Sequence, residues 1–208
     1  MSLGAVVVCG GRSSRMGRPK ASLPFGPERL LQRVVRLVGE AVGPIVVVAA
    51  PGQELPDLPP SVRVVRDPVE GRGPLQGIAA GIEALGDGVA FAYATATDVP
   101  FLVPGWIGRL AASIGDDDLA IPEAEGYLQP LAALYRRSTV LPAVVALLAA
   151  DRLRPAYLIE SVRARVIGAD SLREVDPDLL TLRNLNTPDD YREALRVAGF
   201  PEDGASSR

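Results

Sequence analysis

The chain contains no histidine, one cysteine and one lysine, and each scarcity narrows what it can do. Without imidazole there is no Ser-His-Asp or Cys-His catalysis, no imidazole metal ligation and no general base of the usual neutral-pH kind. An enzyme built this way works with carboxylates, cations and backbone amides. Such equipment suits phosphoryl or nucleotidyl transfer, where positioning and charge neutralisation carry most of the catalysis. The lone cysteine, Cys9, excludes a disulfide framework and a cysteine zinc cluster, and its place in the first apolar run fits a core thiol in a reduced compartment. The amino terminus lacks a basic flank, and its apolar run, Leu3 to Cys9, is too short for a signal peptide or a membrane span. A net charge of −3 argues against a nucleic-acid binder, which usually carries a broad basic surface. The expectation is a soluble, cytoplasmic protein that engages neither membrane nor nucleic acid.

With 208 residues and 48% hydrophobic content, the chain suffices for one well-buried core and is too short for two ordinary domains. One domain is expected over residues 1–200. Residues 201–208 lack an apolar pattern and read as a disordered tail. Strand-like runs at Leu3 to Cys9, Pro44 to Ala50, Val62 to Val65, Val89 to Thr95 and Leu119 to Ile121 alternate with helical patterns. Helices are expected over Arg29 to Glu40, Pro74 to Leu85, Pro104 to Ile114, Ser138 to Ala150 and Pro188 to Ala198, the last opened by the cap Thr187 and by two acids. Residues Gly126 to Arg137 read as strand, and Pro51 to Pro60 as a surface loop. The alternation predicts an α/β fold: a Rossmann-like, mostly parallel sheet with helices on both faces.

Lys20 is the single lysine beside 21 arginines, and it closes a glycine-rich loop, Gly10-Gly11-Arg12-Ser13-Ser14-Arg15-Met16-Gly17-Arg18-Pro19-Lys20, directly after the first strand. An ammonium is a compact point charge and a guanidinium a planar fork, so a retained lysine suggests a site that needs the former. An arginine-biased genome can leave one lysine anywhere, but this one lies in a segment with no acidic residue before Glu28. Four unneutralised cations there would attract an anion. The glycines allow backbone amides to approach phosphate oxygens, with Arg15 and Lys20 supplying countercharge. The loop matches neither the Walker pattern nor G-x-G-x-x-G.

In an open parallel sheet, ligands bind outside the carboxyl ends of the strands, and two further segments belong there. Asp67 to Gly77 contains Gly73 and Gly77, which would let a base or ribose lie against the main chain, although such residues are more often plain turn chemistry. Thr97-Asp98-Val99-Pro100 follows a strand apolar enough to be read as central. Asp98 is suited to hold a magnesium ion bridging phosphates, or else to cap the turn that follows.

The motifs Gly10-Gly11-x-Ser13-x-Arg15-Met16-Gly17-x-x-Lys20, Gly73-Pro74-Leu75-x-Gly77, Thr97-Asp98-Val99-Pro100 and Asn184-x-Asn186-Thr187-Pro188 resemble those of the molybdenum cofactor guanylyltransferases, within the molybdopterin-type nucleotidyltransferases. The resemblance implies a fold of the nucleotide-diphospho-sugar transferase type. It also implies a magnesium-dependent transfer of GMP from GTP to the phosphate of molybdopterin, with release of pyrophosphate. By the same resemblance Val8, Cys9, Gly10 and Gly11 meet the nucleotide, Lys20 and Asp67 help bind GTP, Gly73, Pro74 and Leu75 lie near the guanine, and Asp98 holds magnesium. Arg15, Lys20 and Asp98 are the catalytic candidates, and Asn184 and Asn186 match positions linked to the pterin side. Molybdoenzyme apoproteins or cofactor chaperones are candidate protein partners. Transfer of CMP or nucleotidylation of another small phosphate are alternatives, as is a non-catalytic cofactor carrier. Two positions depart from the pattern: Pro19 replaces an aspartate common before the lysine, and Ala49-Ala50-Pro51 replaces an asparagine-containing strand end.

Overall fold

A computed structural model describes residues 2–9, 19–67, 69 and 71–201. Its strands are β1 (Leu3–Val8), β2 (Pro24–Phe25), β3 (Glu28–Arg29), β4 (Ile45–Ala49), β5 (Val62–Arg66), β6 (Phe91–Ala96), β7 (Leu119–Ala124), β8 (Tyr127–Leu128), β9 (Ala132–Arg136) and β10 (Ala164–Gly168). The helices are α1 (Leu30–Gly39), α2 (Pro74–Leu85), α3 (Pro104–Ser113), α4 (Arg137–Ala149), α5 (Pro155–Ser161) and α6 (Pro188–Val197). The main sheet runs β10-β7-β9-β6-β1-β4-β5, with β8 paired to β7, while β2 and β3 form a separate small hairpin. Pairings in the main sheet are parallel except those of β9 with β6 and β7 and of β8 with β7.

Alternation along the strands divides the core into two layers. In β1, Ala5 and Val7 face one side and Val6 the other; in β4, Val47 and Val46 divide likewise. Helices α1 and α3 cover the first face through Leu31, Val34, Val38, Trp106 and Leu110. Helices α2, α4 and α5 cover the second through Ile78, Ile82, Val144, Leu147 and Leu158. Both faces are therefore sealed, as a mostly parallel sheet requires. A third cluster joins Leu23, Phe25 and Leu30 to Leu185, Ala194 and Leu195, so α6 packs on the β2–β3 hairpin.

The expected strands and helices stand where the periodicity places them, with shifts confined to their ends. The segment 126–137 divides into β8 and β9 around an intervening turn, and residues 51–60 carry no helix or strand. The pattern reading missed α5, β10 and the β2–β3 hairpin. Strand β10 lies at a sheet edge and exposes Arg165 and Val166, which erases its apolar signature. Gly77 needs a different explanation from the one its turn-like context suggests. It is buried in α2, where an added Cβ would lie 3.0 Å from Val8 Cγ1, and at Gly81 the distance to Val6 Cγ1 would be 2.2 Å. These glycines bring α2 onto β1, so Gly77 serves helix–strand packing instead of ligand approach.

Candidate active site

The parallel strands present their carboxyl ends to one edge, and there a cleft of about 330 Å³ opens between β1, β6 and the entry to β9. Val8 and Cys9 form its floor with Ala96 and Thr97, because β1 and β6 pair in register with Val8 opposite Ala96. Strand β9 runs against β6 and places Ala132 opposite Thr95, so the preceding residues Gln129, Pro130 and Leu131 form one wall. Thr181, Leu182 and Asn184 form another.

Lys20 enters the cleft from the short helical turn Lys20–Ser22, held by burial of Ala21 and by Leu23 and Phe25 in the third core cluster. Its Nζ lies 2.7 Å from Asp98 Oδ2 and 3.3 Å from Asn186 Oδ1. Side chains 78 and 166 residues away thus converge on the one ammonium. The Lys20 and Asp98 side chains are 19% and 17% exposed, so the pair is partly shielded from water yet open to a ligand. Asp98 does not cap the helix that follows. The amide of Leu185 donates to its carbonyl at 3.0 Å, and Leu185 itself is fully buried.

The wall around residue 181 is held by a buried carboxylate with no visible signal in the sequence. Asp176, 1% exposed, accepts from the amides of Leu180 and Thr181 at 2.9 and 2.8 Å. The Thr181 hydroxyl in turn accepts from the amide of Val103 at 3.1 Å, at the head of α3. Gln53 is a second supporting residue that was not anticipated. Its amide nitrogen donates to the carbonyl and Sγ of Cys9, both at 3.3 Å, while its oxygen accepts from the amide of Ala50 at 3.0 Å. Burial pushes the Cys9 thiol above its ordinary pKa, despite hydrogen bonds from Thr97 and Gln53 that act the other way. Cys9 is therefore a half-buried thiol at the cleft floor and not a wholly interior one.

The other expected site residues divide. Gly10, Gly11 and Arg15 lie outside the described residues. Val8, Cys9, Lys20, Asp98 and Asn184 line the cleft, and Asn186 reaches it through Lys20. Asp67 follows β5, two strands from β1, and its carboxylate accepts from the amide of Val69 at 3.0 Å. It does not line the cleft. Gly73 has φ +78° at the head of α2, a conformation suited to glycine, and Pro74 follows as the first helical residue. Leu75 is fully buried in the core, so its side chain is not available to a ligand.

For a divalent cation, the described residues contain no cluster of three or more histidine, cysteine, aspartate or glutamate side chains. Asp98 is a single carboxylate that already holds a cationic group, and among the described residues its Oδ1 has no hydrogen-bond partner. That donor set suits magnesium, which takes one or two carboxylates and completes its shell with water and substrate phosphates. It does not suit zinc, which requires a protein cage.

The family model described as the MobA-like NTP transferase domain matches residues 5–164. The chain is 37% identical over 197 residues to the probable molybdenum cofactor guanylyltransferase of Mycobacterium avium (strain 104), covering 92% of this chain and 94% of that one. It is also 37% identical over 190 residues to the probable molybdenum cofactor guanylyltransferase of Mycobacterium tuberculosis (strain ATCC 25618 / H37Rv), covering 89% of each. Among solved structures, molybdopterin-guanine dinucleotide biosynthesis protein A from Archaeoglobus fulgidus matches with a TM-score of 0.77 at 22% identity, over 96% of this chain and 99% of that one. The 2-C-methyl-D-erythritol 4-phosphate cytidylyltransferase of Thermus thermophilus matches with a TM-score of 0.72 at 16% identity, over 96% of this chain and 100% of that one. The structural matches establish the shared fold. The family match, running from β1 to the first residue of β10, and the curated relatives aligned along most of their length show that the chain belongs to the MobA-like NTP transferase family.

Proposed function

We propose that the chain transfers GMP from GTP to the phosphate of molybdopterin, forming the guanine dinucleotide cofactor and pyrophosphate. The observation that carries this reading is the convergence of Lys20 and Asp98, 2.7 Å apart, at the carboxyl edge of the sheet. The names of the curated relatives add the identity of donor and acceptor. An oxygen of the acceptor phosphate attacks the α-phosphorus of GTP, the bond from that phosphorus to the bridging oxygen breaks, and pyrophosphate leaves. A phosphate monoester is largely ionised at neutral pH, with a second pKa of about 6, so no strong base is required. The absence of histidine is then no handicap.

Both reactants are anions, and catalysis consists mainly of offsetting their repulsion. Lys20 and Arg15 supply countercharge, and the main chain of Val8, Cys9, Gly10 and Gly11 receives the nucleotide. Asp67 assists GTP binding, and the Gly73-Pro74-Leu75 turn lies near the guanine. Asn184 serves the pterin side. Asp98 would hold magnesium, which when bound neutralises phosphate charge. One domain over residues 1–200 performs the reaction, in the cytoplasm, and passes its product to molybdoenzyme apoproteins or their chaperones.

Pyrophosphate release from GTP plus molybdopterin, measured against CTP, tests the reading. Release with GTP alone among the two is expected. A preference for CTP overturns the guanylyl assignment, and tight product binding without pyrophosphate from either nucleotide makes the chain a carrier.

A further inference from the structure

We propose that Asn186 is a positioning residue for Lys20 and acts on the nucleotide side of the reaction, not on the pterin side to which its motif assigns it. This role rests on the guanylyl-transfer reading above. The Asn186 amide oxygen accepts from Lys20 Nζ at 3.3 Å, while Asp98 Oδ2 takes another of its protons at 2.7 Å. An ammonium has three protons, so beyond these two contacts among the described residues one remains for a phosphate oxygen.

The backbone around Asn186 is built to hold that oxygen in place. Asp190 Oδ2 accepts from the amides of both Asn186 and Thr187, at 2.9 and 2.8 Å, and the Thr187 hydroxyl accepts from the Asp190 amide at 3.1 Å. This reciprocal cap fixes the first turn of α6. On the other side, Leu185 is fully buried and bonded to the Asp98 carbonyl. The two anchors bracket Asn186 and aim it at the Lys20–Asp98 pair.

An amide is the appropriate chemistry here. A divalent cation on Asp98 would draw on the same carboxylate charge that holds Lys20 and so weaken the stronger of its two contacts. Asn186 then remains as a hold on the ammonium, and being neutral it adds no negative charge against the triphosphate. A carboxylate at 186 would hold Lys20 more tightly and repel the nucleotide.

The test is titration of full-length protein with GTP and magnesium in the absence of acceptor, using wild type, Asn186→Ala, Lys20→Met, the double variant and Asn184→Ala. Asn186→Ala is expected to weaken GTP binding about tenfold, the scale of one hydrogen bond to a charged group. Lys20→Met weakens it further, and adding Asn186→Ala to Lys20→Met changes it by less than about twofold, because the positioned group is gone. Asn184→Ala leaves GTP binding unchanged and raises KM for molybdopterin. Asn186→Ser, with a shorter side chain that falls short of Lys20, repeats the Asn186→Ala result and guards against a folding defect in one variant. Wild-type GTP affinity in Asn186→Ala with a raised KM for molybdopterin overturns the proposal, as does full additivity in the double variant. Wild-type protein that binds no GTP overturns the guanylyl reading itself.

Discussion

The main-chain amide of Leu185 donates to the main-chain carbonyl of Asp98 at 3.0 Å, joining the turn after β6 to the segment that leads into α6. A second tie, from the Val103 amide to the Thr181 hydroxyl at 3.1 Å, runs alongside it. The carboxylate at the centre of the cleft is thus braced from the carboxyl-terminal part of the chain. The Leu185 tie uses main-chain atoms on both sides, so the Asp98 side chain can be changed without loosening it.

Asp98→Asn should therefore fold normally and lose catalysis. Pyrophosphate release is expected to fall by at least roughly 10²–10³, the scale for one preorganised charged group. A circular-dichroism melt matching wild type confirms that the fold persists, and near-normal turnover sinks the assignment of Asp98.

Lys20→Met makes opposite predictions for two measurements. Turnover should fall by about two to three orders of magnitude. Free Mn²⁺, followed by electron paramagnetic resonance without nucleotide, should bind at least about tenfold more tightly, because the competing ammonium 2.7 Å from Asp98 Oδ2 has been removed. Unchanged Mn²⁺ affinity would show that Lys20 and the ion do not compete for that oxygen.

Gly81→Ala should destabilise the fold by about 1–3 kcal/mol, the usual cost of overpacking. The new Cβ would sit 2.2 Å from Val6 Cγ1. Urea unfolding reads the effect, and Val6→Ala in the same chain should restore part of the loss. A neutral Gly81→Ala would mean that α2 can retreat from β1 at no cost.

Acid stability should depend on Asp190. The amides of Asn186 and Thr187 bond its ionised form and hold its carboxyl below the ordinary aspartate range. A lowered folded-state pKa contributes stability that is fully present above the unfolded-state value and is lost as pH falls through the folded one. Asp190→Asn should be less stable at neutral pH and show a flatter loss on acidification, measured by urea midpoints across that range. Parallel curves for the two proteins would remove Asp190 from the acid transition.

Much of this architecture is legible in the sequence because apolar spacing reports burial directly. The strands β1, β4, β6 and β7 and the major helices carry that signal, and α2 runs from Pro74 to Leu85 as its proline start and spacing predict. What periodicity cannot report is pairing between distant residues. Asp176 and Gln53 occur in polar stretches indistinguishable from loops, and only the fold brings their oxygens and nitrogens to backbone partners. Residue chemistry singled out Lys20 and Asp98, and the family resemblance added Asn186, each separately. Their shared contact became visible only when β1, β6 and α6 were brought together.

The reversed direction of β9 has an effect beyond sheet order. Because it pairs antiparallel with β6, the stretch 129–131 reaches the cleft from the strand's beginning, whereas Asp98 arrives from a strand's end. Opposite walls of the cleft consequently come from separate connections of the chain. A change of length or composition in the β8–β9 turn would reshape one wall of the cleft while the lysine–carboxylate pair, carried on other segments, keeps its support.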